Sequence, residues 1–293
     1  METLDMSESV ATGIAGSALA APGITVLVGH AGVGKTNLAL NLVLAQARAG
    51  LSVTLADLDL VNPYFRSSDY NGALEAAGVR LIAPLFARTA LDTPSMGGEL
   101  DGAIAAVGAS PARTTDGVAG ASTAQAPRLV IDVGGDDLGA TALGRYARAL
   151  QAAGARLLYV VSAFRTLTSA PQEAIEVLRA IEGHAHLRAG GVVNCSNLAD
   201  QTSAADIEQG RTFARAVAEL AGLPLVATIA PANLRGALSP AEAPGAPAPT
   251  PASSASAQPP VPTPAPAAAS ATGSAPVNEP LIFVERFVRP PWE

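Results

Sequence analysis

The chain has 293 residues with a net charge of −7, enough for one large domain or two small ones. This acidic balance, without a basic stripe, argues against sequence-specific nucleic-acid binding, which requires cations against the phosphate backbone. Cys195 is the sole cysteine. An internal disulfide and a cysteine pair for zinc or an iron–sulfur cluster are therefore excluded, and we expect a cytoplasmic protein.

The N-terminal region contains an uncharged stretch, residues 10–29, that is long enough to span a bilayer. It consists largely of small residues and contains Pro22-Gly23. The charged residues before it are the acidic Glu2, Asp5 and Glu8, so the basic region of a signal peptide is missing. We therefore interpret residues 1–21 as a flexible tail that leads into a buried strand, and we predict no membrane partner.

Short apolar runs separated by helix-like stretches follow. Runs typical of strands buried on both faces cover residues 24–28, 51–55, 79–83, 129–133, 157–161, 191–194 and 225–229. Helical stretches cover residues 36–49, 138–153, 171–182 and 206–221. This alternation predicts an α/β fold over residues 22–239, with a mostly parallel, roughly seven-stranded sheet flanked by helices.

Two segments interrupt the pattern. Residues 109–127 are small and polar, which indicates a surface loop insertion. Residues 240–278 are rich in proline and alanine, with a single charge, and cannot bury a core, so we expect a disordered linker. Residues 279–293 become apolar again and are predicted to dock on the domain, although an exposed tail is the alternative.

A phosphate-binding motif lies between the first strand and the first predicted helix. The sequence GHAGVGKT matches G-x-x-x-x-G-K-[ST] and contains the only lysine of the chain, Lys35. Glycines let successive backbone N–H groups point at phosphate oxygens, the helix N-terminus adds partial positive charge, and the ammonium reaches the β- and γ-phosphates. The predicted nucleotide-binding residues are Gly29, His30, Ala31, Gly32, Val33, Gly34, Lys35, Thr36 and Asn37.

The competing dinucleotide motif G-x-G-x-x-G fits less well. Gly32 and Gly34 match its first two positions, but Asn37 occupies the third, where a close helix–strand contact requires glycine. An NAD site is therefore not favoured.

Carboxylates follow two of the predicted strands. Asp57 and Asp59 come after the second strand, and Asp132 closes a hydrophobic strand in the manner of a Walker B aspartate. Carboxyl ends of parallel strands form the ligand-binding edge of open α/β sheets. We predict a Mg²⁺ site that includes the Thr36 hydroxyl and Asp132, although a helix cap or turn is the ordinary role of a strand-end aspartate.

These motifs together resemble the ParA/MinD/CobQ/CobB group of P-loop ATPases. The resemblance covers about residues 22–235 and rests on GHAGVGKT, LADLDLVNPYF and LVIDVGG. It implies an ATP- and Mg²⁺-dependent ATPase in which Asp57 is associated with Mg²⁺ and Asp59 orients the attacking water. It also implies that Asn194 contacts the adenine, whereas an ordinary turn asparagine is the alternative.

One position departs from the pattern of that group. Relatives that dimerise around ATP carry a second, signature lysine where this chain has His30. We expect His30 to pack or to have a backbone role, and a homodimer is left open. Arg66 is a candidate charge donor to the γ-phosphate, with an exposed arginine as the alternative.

The sequence thus predicts a slow ATPase that acts as a nucleotide switch or regulator, with Lys35 and Asp59 as catalytic residues. Loops 60–72 and 134–140 would report the nucleotide state to an unidentified protein partner. The alternatives are a P-loop metabolic enzyme, such as a kinase or CobB-like ligase acting on a small molecule, and a non-hydrolysing adaptor. A metal-insertion GTPase is a further alternative, weakened because the sequence lacks a Cys/His cluster and an N-K-x-D motif for guanine. The sequence barely separates ATP from GTP.

Overall fold

The computed structural model describes residues 6–59, 70–83, 97–110, 126–238 and 279–288. Its helices are α1 (Glu8–Ala15), α2 (Lys35–Arg48), α3 (Asn71–Ala76), α4 (Gly97–Gly108), α5 (Asp137–Gly144), α6 (Ala147–Ala152), α7 (Pro171–Ala185), α8 (Ala204–Ala221) and α9 (Arg235–Leu238). Its strands are β1 (Ile24–Val28), β2 (Val53–Leu58), β3 (Arg80–Ile82), β4 (Arg128–Val133), β5 (Arg156–Val161), β6 (Ala189–Asn194), β7 (Leu225–Pro231) and β8 (Leu281–Val284).

The strands form one eight-stranded sheet in the order β3-β2-β4-β1-β5-β6-β7-β8. Every pairing between them is parallel. The predicted α/β class with helices flanking a parallel sheet is therefore confirmed. The chain runs from β1 to one side as far as β3 and later continues from β5 to the other side. Such a reversal of direction opens a crevice at the carboxyl ends of the central strands.

The sheet separates two apolar cores, one on each face. Along β1, Ile24, Val26 and Val28 pack into the core shared with helices α4 to α8. Leu27 points to the opposite face, into the core formed with α1, α2 and α3. Burial on both faces explains why the central strands are continuous apolar runs rather than alternating ones.

The N-terminal region differs from the expected flexible tail. Residues 8–15 form α1, and Met6, Val10 and Ile14 are almost completely buried. The helix packs on α2 and on β8. Composition alone did not reveal this, because the partners that bury Val10 and Ile14 come from distant parts of the chain. None of the described helices has the length and apolar character needed to cross a membrane.

The helix predicted over residues 138–153 is divided into α5 and α6. The division follows Gly144, where an added Cβ atom would lie 2.5 Å from the carbonyl oxygen of His184. This close approach to α7 requires glycine, which has a low helix propensity. Several other predictions lie wholly or mostly outside the described residues: the linker 240–278, the insertion 109–127, Arg66 and most of loop 60–72.

The C-terminal segment (residues 279–288) packs on the domain as an edge strand and an extended tail. Strand β8 pairs with β7, Ile229 lying opposite Ile282. The Asn41 side chain forms two hydrogen bonds with the backbone of Glu285, each 2.9 Å long. Its Nδ2 donates to the Glu285 carbonyl oxygen, and its Oδ1 accepts from the Glu285 N–H. Asn37 accepts from the N–H of Phe287 at 2.8 Å. Two asparagines one turn apart on α2 thus form backbone hydrogen bonds with this segment of the kind that a neighbouring strand would otherwise provide.

A buried carboxylate marks the beginning of the C-terminal segment. The Glu279 side chain is only 1% exposed and forms ion pairs with Arg211 at 2.7 Å and Arg215 at 3.0 Å, both on α8. Burial raises the pKa of Glu279, but the hydrogen bonds from both arginines outweigh it, and the net pKa lies below the ordinary 4.5.

We predict that Asn41→Ala destabilises the protein by about 2 kcal/mol and loosens the C-terminal segment. The substitution leaves the Glu285 N–H without its acceptor, which costs about 1–3 kcal/mol. The Glu285 carbonyl loses one of its two amide donors and keeps Asn37 Nδ2 at 2.9 Å. Chemical denaturation measures the stability, and proteolysis near residue 285 measures the loosening. The exposed Asn233 provides the matched alanine control, and equal stability of both variants would contradict the role of Asn41.

We further predict that Glu279 contributes to acid sensitivity. Because its folded pKa lies below the unfolded value, its stabilisation is complete above about pH 4.5 and is lost as the pH falls towards the folded pKa. Glu279→Gln should lower the free energy of unfolding by about 2 kcal/mol at neutral pH and by clearly less at pH 3. The unfolding free energy measured between pH 3 and 7 tests this, and a pH-independent difference would contradict it.

Candidate functional site: the phosphate loop and its cavity

The loop between β1 and α2 has the backbone shape of a phosphate cradle. Gly29, Gly32 and Gly34 have φ values of 152°, 73° and 97°, which residues with side chains adopt only with strain. A Cβ atom on Gly29 would also lie 2.3 Å from the carbonyl oxygen of Val160 on β5. Glycine is therefore required here for the backbone angle and for the close contact with the neighbouring strand.

Lys35 begins α2, and its ammonium folds back over the loop. It donates to the carbonyl oxygens of Gly29 at 2.9 Å and His30 at 3.0 Å. An ammonium has three N–H donors, so a third can reach an anion without breaking these bonds. Burial lowers the pKa of Lys35, while the nearby carboxylates of Asp132 and Asp59 raise it and favour the charged form.

The Thr36 hydroxyl contacts one of two buried carboxylates at the carboxyl ends of β2 and β4. Thr36 donates to Asp132 Oδ2 at 2.7 Å. Asp132 on β4 is the register partner of Asp57 on β2, so the two carboxylates lie at the same level of adjacent strands. Both residues are at most 2% exposed. Two neighbouring buried carboxylates repel each other, and a cation relieves that repulsion.

Asp59 follows β2 and lines the open side of the site. Its N–H donates to Asp57 Oδ1 at 3.0 Å, a turn that fixes the direction of the chain. Within the described ranges, no group of three or more His, Cys, Asp or Glu side chains is arranged to hold a metal. The hydroxyl and carboxylate donors nevertheless fit Mg²⁺, a hard cation that typically uses one or two carboxylates and keeps waters or phosphate oxygens as its other ligands.

The loop after β4 packs closely against the backbone of the phosphate loop. A Cβ atom on Gly135 would lie 2.3 Å from the backbone nitrogen of Ala31 and 2.8 Å from the carbonyl carbon of His30. A Cβ on Gly134 would lie 3.2 Å from Asp59 Oδ1. The segment after β4 therefore contacts both the phosphate loop and the candidate water-orienting carboxylate.

A cavity of about 810 Å³ opens at the carboxyl ends of the central strands. Ala31, Gly32, Lys35, Thr36 and Asp59 line one end. The other end is lined by the loop after β6, the end of β7 and the C-terminal segment, including Asn197, Leu198, Pro231, Arg286 and Val288. Such a volume suits a small-molecule ligand, and the location is where α/β sheets bind one.

The predicted site residues divide into two groups. Those that line the cavity are Ala31, Gly32, Gly34, Lys35, Thr36, Asn37 and Asp59, and those that do not are Gly29, His30, Val33, Asp57, Asp132 and Asn194. Asn194 is completely buried under α8, where its Oδ1 accepts from the N–H of Ser196 at 3.0 Å, and it does not line the cavity. The Asn194 side chain thus makes a turn contact with its own loop, and the adenine contact stays a prediction. The Asn37 side chain holds the C-terminal segment. The ring of His30 hydrogen-bonds its own loop at Ala31 O, 3.0 Å away.

Several residues that line the cavity were not predicted, among them Arg165, Cys195, Asn197 and Arg286. The first three follow β5 or β6, and the signal that identifies them is their position just after the carboxyl end of a strand. Burial raises the pKa of the Cys195 thiol to about 12, although Lys35 opposes the shift. Cys195 therefore remains protonated and forms an apolar wall behind Gly34.

No protein-family model matches the chain, and no curated protein matches it. Among solved structures, it is similar to the signal recognition particle 54 kDa protein of Aeropyrum pernix in complex with GDP, at 20% identity over 70% of this chain and 40% of that one, with a TM-score of 0.41. It is also similar to FtsY of Mycoplasma mycoides, at 17% identity over 76% of this chain and 64% of that one, with a TM-score of 0.44. A third similar structure is FtsY of Thermotoga maritima, at 20% identity over 70% of this chain and 60% of that one, with a TM-score of 0.42.

The chain therefore spans between 40% and 64% of the length of these three proteins. At such identities and TM-scores they provide no basis for assigning a ligand or partner. The resemblance to the ParA/MinD group stays a prediction from the motifs.

The close contact between Gly135 and Ala31 predicts that a larger residue at position 135 disturbs the phosphate loop. Gly135→Ala should displace the phosphate loop, cost about 1–3 kcal/mol of stability through overpacking, and weaken nucleotide binding at least tenfold. Gly183→Ala is the matched control, because Gly183 lies within α7 with nothing within 4 Å of its added Cβ. Calorimetry and thermal unfolding measure both effects. Normal nucleotide affinity in Gly135→Ala would contradict the close packing.

Proposed function

We propose that this protein binds ATP with Mg²⁺ and hydrolyses it slowly, as a nucleotide-dependent switch. The observation that carries the proposal is the glycine-shaped loop whose Lys35 and Thr36 line a large cavity beside Asp59. That combination provides backbone N–H donors, an ammonium, a hydroxyl and a carboxylate within a single concave site.

The phosphates would bind against the loop. The backbone N–H groups at the start of α2 and the partial positive charge of the helix N-terminus both favour an anion there. Lys35 would then contact the terminal phosphates, and its folded-back position over Gly29 and His30 places the ammonium at the loop in advance. Preorganisation of this kind reduces the cost of binding.

Thr36, Asp57 and Asp132 would hold Mg²⁺, directly or through water, and the supporting observation is the hydroxyl beside two register-paired carboxylates. When bound, Mg²⁺ neutralises charge that develops on the phosphates. Asp59 would accept a hydrogen bond from a water and orient it towards the γ-phosphate, since its carboxylate lines the open side of the cavity. Positioning is the main requirement of this reaction.

Residues 134–140 would sense the nucleotide, because Gly134 and Gly135 pack against Asp59 and the phosphate loop. Their state would be communicated to a protein partner, or to a second copy of the chain in a homodimer. ATP rather than GTP is proposed from the motif resemblance and from the missing N-K-x-D motif.

The test is Mg²⁺-dependent binding and hydrolysis of ATP and GTP, measured by calorimetry and phosphate release. The full chain should bind ATP and turn it over more slowly than about one per second. Lys35→Ala should abolish detectable binding. Lys35→Arg should also bind poorly, because a planar guanidinium does not reproduce a compact ammonium. Asp59→Ala should retain binding and lose about 100-fold or more in turnover.

The exposed Arg148 offers a neutral control, because Arg148→Ala leaves the site untouched. A wild-type chain that binds neither nucleotide would overturn the proposal. Tight binding without turnover would instead favour the P-loop metabolic enzyme, which needs its small-molecule substrate, or the adaptor. Preferential binding of GTP would correct the choice of base while leaving the phosphate site in place.

A further inference from the structure

A second cation lies over the phosphate loop, on the segment that follows β5. The guanidinium of Arg165 covers the face of Gly32: a Cβ atom built there would lie 3.2 Å from Arg165 Cζ and 3.4 Å from Nε and Nη1. Arg165 lines the same cavity as Lys35 and Thr36. Gly32 thus lacks a side chain at the point where an arginine covers the loop.

The described side chains at this end of the cavity include two carboxylates and one ammonium, so a second cation would help to balance the charge of a bound polyphosphate. Asp59 and Asp136 line it together with Lys35, and a polyphosphate adds further negative charge. Among the described cavity residues, Arg286 is the other arginine, but it pairs with Asp200 at 2.6 Å on the loop after β6. Across the described ranges, Arg165 forms no ion pair that would occupy its guanidinium.

The segment that carries Arg165 is fixed relative to the phosphate loop. Strand β5 pairs with β1, and Gly29 packs on Val160. After β5, the N–H of Ala163 donates to Ser196 Oγ at 2.9 Å, and the Arg165 carbonyl accepts from Thr168 at 3.0 Å. The backbone of Arg165 is thus held at the site, while its side chain remains exposed and able to turn towards a ligand.

We propose that Arg165 contacts the phosphates of the bound nucleotide in cis and supplies a second positive charge beside that of Lys35. The fork of a guanidinium matches two phosphate oxygens at once. Arg165 stands close to the loop before any ligand binds, so a small rotation brings its N–H groups to a phosphate on the loop. This inference rests on the proposed nucleotide site.

The test measures the affinity of the full chain for Mg·ATP, Mg·ADP and inorganic tripolyphosphate by calorimetry. Arg165→Ala should weaken ATP and tripolyphosphate binding by the same factor, about tenfold to 100-fold, the range expected when a hydrogen bond to a charged group is lost. Arg165→Lys should recover part of the loss, because it keeps the charge without the fork. Arg148→Ala, the matched exposed arginine, should bind as the wild type does.

Three outcomes would overturn the inference. The first is an Arg165→Ala variant that binds ATP within twofold of the wild type. The second is a loss for ATP but not for tripolyphosphate, which would move the contact to the base or ribose. The third is a wild type that binds no nucleotide, in which case the proposed function fails as well. The melting temperature of each unliganded variant should equal that of the wild type, and Arg165→Lys provides the comparison if Arg165→Ala is unstable.

Discussion

The site depends on one packing constraint, the close fit of the phosphate-loop backbone between two neighbouring segments. Gly29 contacts the β5 backbone on one side, and Gly135 contacts Ala31 on the other, with no room for a Cβ atom at either position. Van der Waals contact of this kind leaves a loop few alternative conformations. This fit holds the loop that leads into Lys35, which donates to the Gly29 carbonyl oxygen, and Thr36, which donates to Asp132.

The C-terminal segment is tied to the same helix that begins at Lys35. Asn37 and Asn41 bind its backbone, and the Tyr70 hydroxyl donates to the Phe287 carbonyl oxygen at 3.1 Å. Residues far apart in sequence thereby complete one wall of the cavity, through Arg286 and Val288. The ligand-binding end of the sheet is thus closed by a segment that contacts the phosphate-loop helix directly.

The sequence predicted what depends on local pattern. Continuous apolar runs identified the buried strands, and glycine spacing identified the loop in which Gly29, Gly32 and Gly34 have positive φ. It did not predict what depends on distant partners. Helix α1 is stabilised by α2 and β8, Asn194 is buried by α8, and Asn37 binds a segment about 250 residues further along. Arg165 carries no motif, and only the pairing of β5 with β1 brings it to Gly32.

The central claim is that the backbone amides of the phosphate loop bind the phosphates. Hydrogen–deuterium exchange of the full chain, with and without Mg·ATP, measures this directly, because an amide that donates to a ligand exchanges more slowly. The account predicts slower exchange at residues 31–36 when the nucleotide is bound. Binding that leaves these amides unchanged, and protects only residues elsewhere, would contradict it.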